Sequence, residues 1–274
     1  MIQRTIPTSG EAMPVIGLGT WQTFDVGGSR EARAPLAACV SELIGSGARL
    51  IDSSPMYGRA EQVVGDVVTT LGVRERAFIA TKVWTSGKRR GIEQMTESMQ
   101  KLNVRVVDLM QVHNLVDVTA HLETLREWKA DGRVRYVGVT HYTAHAHAAV
   151  ARVLETEPID FVQINYSVGE REAERRILPL AAERGIAVIA NRPFGEGALL
   201  GAATRRQLPA FAGEIDCTSW PQLLLKFVAS HPAVTCVIPA TSNPAHLRDN
   251  LRAGEGRMPD DSMRDAIAAS ARGG

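Results

Sequence analysis

Cysteine is scarce: Cys39, Cys217 and Cys236 are three in a chain of 274 residues. The number is odd and the spacing wide, so the chain offers neither a disulfide framework nor a zinc-ligand pattern. Small buried residues are the expectation for all three. An excess of one charge sign is also missing. Lys and Arg total 31 against 30 for Asp and Glu, a net charge of +1, which points away from nucleic-acid and membrane-surface proteins. No apolar run approaches the ~18 residues of a membrane span. Residues 1–7 lack the apolar centre of a signal peptide. A soluble, cytoplasmic protein is expected. No glycine fingerprint follows the first apolar run, because Gly17-Leu18-Gly19 does not continue as G-x-G-x-x-G. That counts against an open doubly wound sheet. Linkers, repeats and low-complexity stretches are lacking too, so residues 1–274 are expected to form a single domain.

What the chain has instead is alternation. Short apolar runs read as strands at 14–21, 48–52, 77–82, 106–113, 134–140, 160–165, 186–191 and 234–239. Helical spacing follows at 31–45, 60–71, 91–102, 118–130, 144–154, 172–184 and 222–230, and again at 244–253 and 259–271. The strands are apolar almost throughout rather than alternating, as strands covered on both faces are. Eight such units in this length predict a (β/α)8 barrel with extra C-terminal helices. The polar, turn-rich residues 1–13 suggest a hairpin plugging one end. A long Gly-rich connection is expected at 193–219.

Ionisable and polar residues gather at one end of these strands: Thr20 and Trp21, Asp52, Lys82, His113, Thr140 and His141, Asn191 and Arg192, Pro239, with Gln163 inside its strand. In a closed barrel these ends meet around one mouth, where barrel enzymes do their chemistry. Asp52, Lys82 and His113 come from adjacent strands, and Tyr57 sits in the turn above Asp52. A buried acid needs a partner, and Lys82 is at hand. A nearby ammonium favours the phenolate of Tyr57 and lowers its pKa; His113 can hydrogen-bond a carbonyl oxygen. Such a site protonates a developing alkoxide, and it needs hydride from outside the protein. His141, His145 and His147 are close in sequence but read as one site-side and two helix-surface histidines rather than a metal site. The run 172–176 reads as a solvated helix face.

The stretches Gly17-Leu18-Gly19-Thr20-Trp21, Asp52-Ser-Ser-Pro-Met-Tyr57-Gly58, Thr81-Lys82-Val83-Trp84, Asp108-Leu-Met-Gln-Val-His113, Val137-Gly-Val-Thr140, Gln163-Ile-Asn-Tyr166 and Ile238-Pro239, with Asn250 beyond them, together resemble the aldo-keto reductases. The resemblance implies an NADPH-dependent oxidoreductase that reduces aldehydes or ketones to alcohols, with NAD(H) as a weaker cofactor. Asp52, Tyr57, Lys82 and His113 would be its catalytic residues, with Tyr57 the general acid. Trp21, Trp84, Tyr57 and His113 would wall the substrate pocket. Thr140, His141 and Gln163 match positions that grip the nicotinamide carboxamide, and Thr20, Trp21 and Asp52 adjoin them. Asn191 ends strand seven and Arg192, Pro193 and Phe194 follow it, all four on the cofactor side, and Gly195 and Gly197 lie where loop backbone passes the pyrophosphate. Pro239 and Ala240 lead to Thr241, Ser242, His246, Asp249 and Asn250 at the adenosine end.

The sequence departs from that pattern in places. His141 stands where Asn is usual. Asn191 replaces the aromatic that stacks on the nicotinamide, leaving Arg192 or Phe194 to cover the ring. His246 takes the place of a basic residue near the 2′-phosphate. Little chain follows the last helix, so an open site for aldehydes and small ketones is expected. No metal, nucleic-acid or membrane partner is expected, and the chain should be a monomer or weak homo-oligomer. A nicotinamide-binding sensor with weak catalysis is the alternative.

Overall fold

A computed structural model describes residues 1–272. The hairpin is present: β1 (Gln3–Thr5) pairs antiparallel with β2 (Ala12–Pro14). Eight parallel strands follow in sequence order: β3 (Leu18–Gly19), β4 (Leu50–Asp52), β5 (Phe78–Val83), β6 (Val107–His113), β7 (Val134–Thr140), β8 (Phe161–Asn165), β9 (Ala187–Asn191) and β10 (Cys236–Val237). Parallel bridges from Ile16 to Val237 and from Gly19 to Ala240 join the two edges into a (β/α)8 barrel. Both seam strands are shorter than expected. Pro14 is taken by the hairpin, and Pro239 has no N–H with which to extend its ladder.

The helices are α1 (Arg30–Gly45), α2 (Ala60–Thr70), α3 (Lys88–Lys101), α4 (Val118–Ala130), α5 (His147–Thr156), α6 (Ile177–Glu183), α7 (Ala198–Ala203), α8 (Trp220–Ala229), α9 (Pro244–Arg252) and α10 (Asp261–Arg272). Two expectations change. The connection at 193–219 is not loop throughout, since it contains α7 and a 3-10 turn at Ala210–Ile215. The segment 172–184 is not one helix, and the run 172–176 is not a wholly solvated helix face. Arg176, at φ −141° and ψ −50°, separates a 3-10 turn from α6. Glu174 in that turn is half-buried: it accepts from Arg264 at 3.0 Å, pairs with Arg171 at 2.9 Å and bonds the Tyr166 hydroxyl. The network ties α10 to the barrel.

The barrel interior changes character from bottom to top. Ile6 and Met13 of the hairpin region close the floor against Leu50, Phe78, Leu109, Tyr136, Phe161 and Ile189. Phe78, Tyr136 and Phe161 pack ring on ring, with centroids 5.4–6.2 Å apart. Two residues further along the same strands the inward side chains become polar: Asp52 after Leu50, Gln111 after Leu109 and Gln163 after Phe161. This follows from the period of two along a strand. An apolar plug therefore supports a polar upper layer at the C-terminal end. The three cysteines are buried and free.

Candidate active site

Asp52 closes β4 and Lys82 lies near the end of β5, its paired neighbour. Lys82 has no solvent-exposed surface. Its Nζ donates to Asp52 Oδ2 at 2.7 Å and to the Ser53 carbonyl at 2.7 Å. The other oxygen, Asp52 Oδ1, accepts from Gln163 at 2.8 Å and from Gln111 at 3.3 Å. A buried acid is thus paired and hydrogen-bonded on both oxygens, as burial demands. Burial pulls the Lys82 pKa down, but Asp52 and Tyr57 more than offset it and leave the pKa above the ordinary lysine value. The ammonium is charged.

Tyr57 rides on the turn after β4. The turn is closed by its amide donating to the Ser54 carbonyl at 3.0 Å. Gly58 follows at φ +61°, and a side chain there would collide with Asp25. The Asp25 carboxylate accepts the Arg59 amide at 3.0 Å and so steadies the turn from the β3 loop. Lys82 Nζ lies 5.0 Å from the centre of the Tyr57 ring. Burial raises the phenol's pKa. Lys82 pulls it down, as the sequence suggests, but burial, with Asp52 adding to it, prevails. The phenol is therefore protonated at neutral pH.

His113 ends β6. Burial first, then the charges of Lys82 and His141, push its pKa down to about 2, so the imidazole is neutral. Its Nδ1 is 3.1 Å from Ser54 Oγ. The ring stands edge-on to Tyr57, 6.1 Å between centroids at 86°, and 6.4 Å from Trp84. Trp84 is fixed through its backbone by Gln94 of α3, which accepts from its amide at 2.6 Å and donates to its carbonyl at 3.3 Å.

Tyr57, His113 and Trp84 open onto a cavity of about 650 Å³ at the C-terminal end of the barrel, and Lys82 lies outside its lining. Asp52, Tyr57 and His113 line it on one side, with Trp21 and Trp84 at the rim. Thr20, Thr140, Gln163 and Asn191 form polar floor and wall, and Arg192, Pro193, Phe194, Gly197, Pro239 and Ala240 continue it. Gln163 is central. Its amino group goes to Asp52, while its Oε1 accepts from Thr140 Oγ1 at 3.1 Å and Asn191 Nδ2 at 3.4 Å. Phe194 is largely buried in the core. Arg192 sits at φ +52°, with its guanidinium 2.9 Å from the Tyr142 carbonyl and 3.5 Å from Glu196.

Other expected residues lie outside the cavity lining. His141 faces its own loop, with Nδ1 accepting from the amides of Tyr142 and Thr143 at 3.0 and 3.3 Å. Gly195, at φ +54°, belongs to the turn under α7. Thr241, Ser242, His246, Asp249 and Asn250 cluster around the start and body of α9, beyond Ala240. Thr241 and Asn250 are buried, whereas Ser242 and His246 are exposed. Asp249 accepts from Ser219 at 2.6 Å and Gln222 at 2.5 Å, so it is tied to the start of α8.

Several contributors are not singled out by the sequence, among them Gln111, Ser54, Met56, Asn114 and Tyr142. Gln111 and Ser54 bond Asp52 and His113 respectively, and Met56 and Tyr142 add to the cavity rim. Gln111 was within reach of the sequence, since alternation from Leu109 to His113 places it on the inner face. Tyr142 directly follows a strand-end pair. Ser54 carried no such signal, because Ser in a turn before Pro is ordinary.

The Aldo/keto reductase family profile matches residues 15–270. Among characterised proteins, the chain is 29% identical over 261 residues to methylglyoxal reductase YeaE of Escherichia coli (strain K12), covering 91% of this chain and 89% of that protein. It is 26% identical over 297 residues to the NADH-specific methylglyoxal reductase of the same organism, covering 87% and 89%. Among solved structures, an aldo/keto reductase from Klebsiella pneumoniae in complex with NADP and acetate superposes with a TM-score of 0.83 at 23% identity, over 97% of this chain and 94% of that one.

Proposed function

The chain belongs to the aldo/keto reductase family, and we propose on that premise that it reduces small neutral aldehydes or ketones to alcohols with NADPH, using Tyr57 as the proton donor. The observation that carries this reading is the meeting of a protonated buried phenol and a neutral imidazole on one cavity, with a charged buried ammonium 5.0 Å behind the phenol ring. A bound nicotinamide supplies the hydride. The chain's own residues do the rest. His113 holds the carbonyl oxygen, Tyr57 gives up its proton as the alkoxide develops, and Lys82 stabilises the phenolate left behind. Asp52 keeps Lys82 charged and in place.

The residues present suit a nicotinamide nucleotide. Asn191 lines the cavity and its Oδ1 is a buried acceptor without a partner. A carboxamide N–H is the donor such an acceptor takes. The rim supports a neutral substrate: Trp21, Met56 and Trp84 are exposed apolar groups, and Arg192 is engaged with Tyr142 and Glu196. Reduction of methylglyoxal by two relatives, as their names state, supports aldehydes and dicarbonyls as the first compounds to try. The test is consumption of NADPH with stoichiometric alcohol formed across a panel of aldehydes, ketones and dicarbonyls. Tight NADPH binding with no turnover on any of them would favour a sensor instead.

Two further results are expected. Trp21 and Trp84 stand at the cavity mouth, whereas Trp128 and Trp220 are buried elsewhere. Saturation with NADPH should quench tryptophan emission, and replacing both rim tryptophans with Phe should abolish the quenching; quenching that survives would remove them from the cofactor's surroundings. The preference for NADPH over NADH should be modest. His246 is exposed on the first turn of α9, while the nearby Arg248 is drawn to Glu42 at 2.7 Å. An imidazole offers at most two N–H donors, whereas arginine is always charged and binds phosphate bidentately. His246→Arg should therefore raise the NADPH:NADH ratio of kcat/KM. A ratio indifferent to that substitution would place the 2′-phosphate away from His246.

A further inference from the structure

We propose that Ser54 is a positioning residue that fixes the tautomer of His113, so that the Nε2–H, and not a lone pair, faces the cavity. A neutral imidazole has a single N–H and can carry it on either nitrogen. Which nitrogen carries it decides whether His113 attracts or repels a carbonyl oxygen.

The hydrogen bonds around Ser54 settle the direction. Ser54 is fully buried. Its Oγ accepts the Met56 amide at 3.3 Å, and that bond has only one possible sense because the amide is a donor. The remaining neighbour is His113 Nδ1 at 3.1 Å. Among the described residues no other group lies within reach to accept the Ser54 hydroxyl proton. If Nδ1 carried the ring proton, two hydrogens would point at each other or the hydroxyl proton would be buried without an acceptor, which is unfavourable. With Nδ1 as acceptor every group is satisfied, and the ring proton sits on Nε2. The same residue also holds the turn that carries Tyr57, through its carbonyl and the Tyr57 amide at 3.0 Å. Ser54 thus sets the two groups that meet the carbonyl oxygen, one through its side chain and one through its backbone.

The inference rests on the reading of His113 as the carbonyl's hydrogen-bond donor, and the test separates the two. Protein labelled with 15N-histidine, free of cofactor and substrate, is measured by long-range proton–nitrogen correlation, with the His113 signals assigned by their loss in His113→Asn. Wild type should show one tautomer, protonated at Nε2. Ser54→Ala deletes one oxygen and should release the ring to a mixture of tautomers. Its kcat should fall by about 10- to 100-fold with a smaller change in KM, somewhat less than the loss expected when an oxyanion-type donor is deleted outright. An Nδ1–H tautomer in the wild type, or an unchanged single tautomer in Ser54→Ala, would overturn the proposal. A released tautomer with undiminished turnover would instead overturn the role of His113.

Discussion

Tyr57→Phe should lower kcat for carbonyl reduction by about 10²- to 10⁴-fold, the range that a general acid contributes, while NADPH binds with near-normal affinity. The substitution removes one hydroxyl and keeps the ring that packs edge-on against His113. Acid catalysis acts on the transition state, so kcat should fall and cofactor affinity should not. The phenol is held protonated because burial outweighs the pull of Lys82 on its pKa. The reduction rate should accordingly stay level through neutral pH rather than decline as a low-pKa phenol ionised. Steady-state kinetics with a cofactor-binding titration on the same preparation checks both points. Near-normal turnover in Tyr57→Phe would remove it from the reaction.

Lys82→Met should be as damaging to kcat, and it should also destabilise the protein. Lys82 and Asp52 are both buried and 2.7 Å apart. Removing the ammonium strands a carboxylate inside the barrel, and breaking a buried pair in this way costs about 3–5 kcal/mol. The amide donors Gln163 and Gln111 remain on Asp52 and should hold the loss towards the lower end. Asp52→Asn should be milder in activity. Lys82 keeps its bond to the Ser53 carbonyl, and an amide oxygen can still accept from it. Thermal or denaturant unfolding together with kcat for both variants tests the ordering. A Lys82→Met protein as stable and as active as the wild type would contradict the roles given to the pair.

The barrel was legible because its strands are short apolar runs with polar residues at one end, and the inward period of two brings those ends to one mouth. Asp52, Lys82 and His113 could be placed from strand order alone. Harder to see were features that depend on distant partners. Glu174 looks like part of a solvated charge run, yet Arg264 of α10 and Tyr166 of β8's exit both reach it. The seam strands look longer in sequence than they are, because hairpin pairing at Pro14 and the missing amide of Pro239 intervene. Ser54 is illegible in the sequence for a related reason. Its composition says turn, and only the fold brings His113 Nδ1 within 3.1 Å of its hydroxyl. The sign of the Tyr57 shift depended on burial, which a sequence does not weigh against a neighbouring charge.

The most direct test of the central claim is label transfer from NADPH carrying deuterium at the reactive position of the nicotinamide. Purified protein is incubated with that cofactor and a small aldehyde, and the product is examined by mass spectrometry. The wild type should yield alcohol bearing deuterium on the former carbonyl carbon, in step with NADPH consumed, and Tyr57→Phe should yield almost none although it binds the cofactor. Alcohol without the label, or equal labelled product from both proteins, would contradict hydride delivery to a carbonyl protonated by Tyr57.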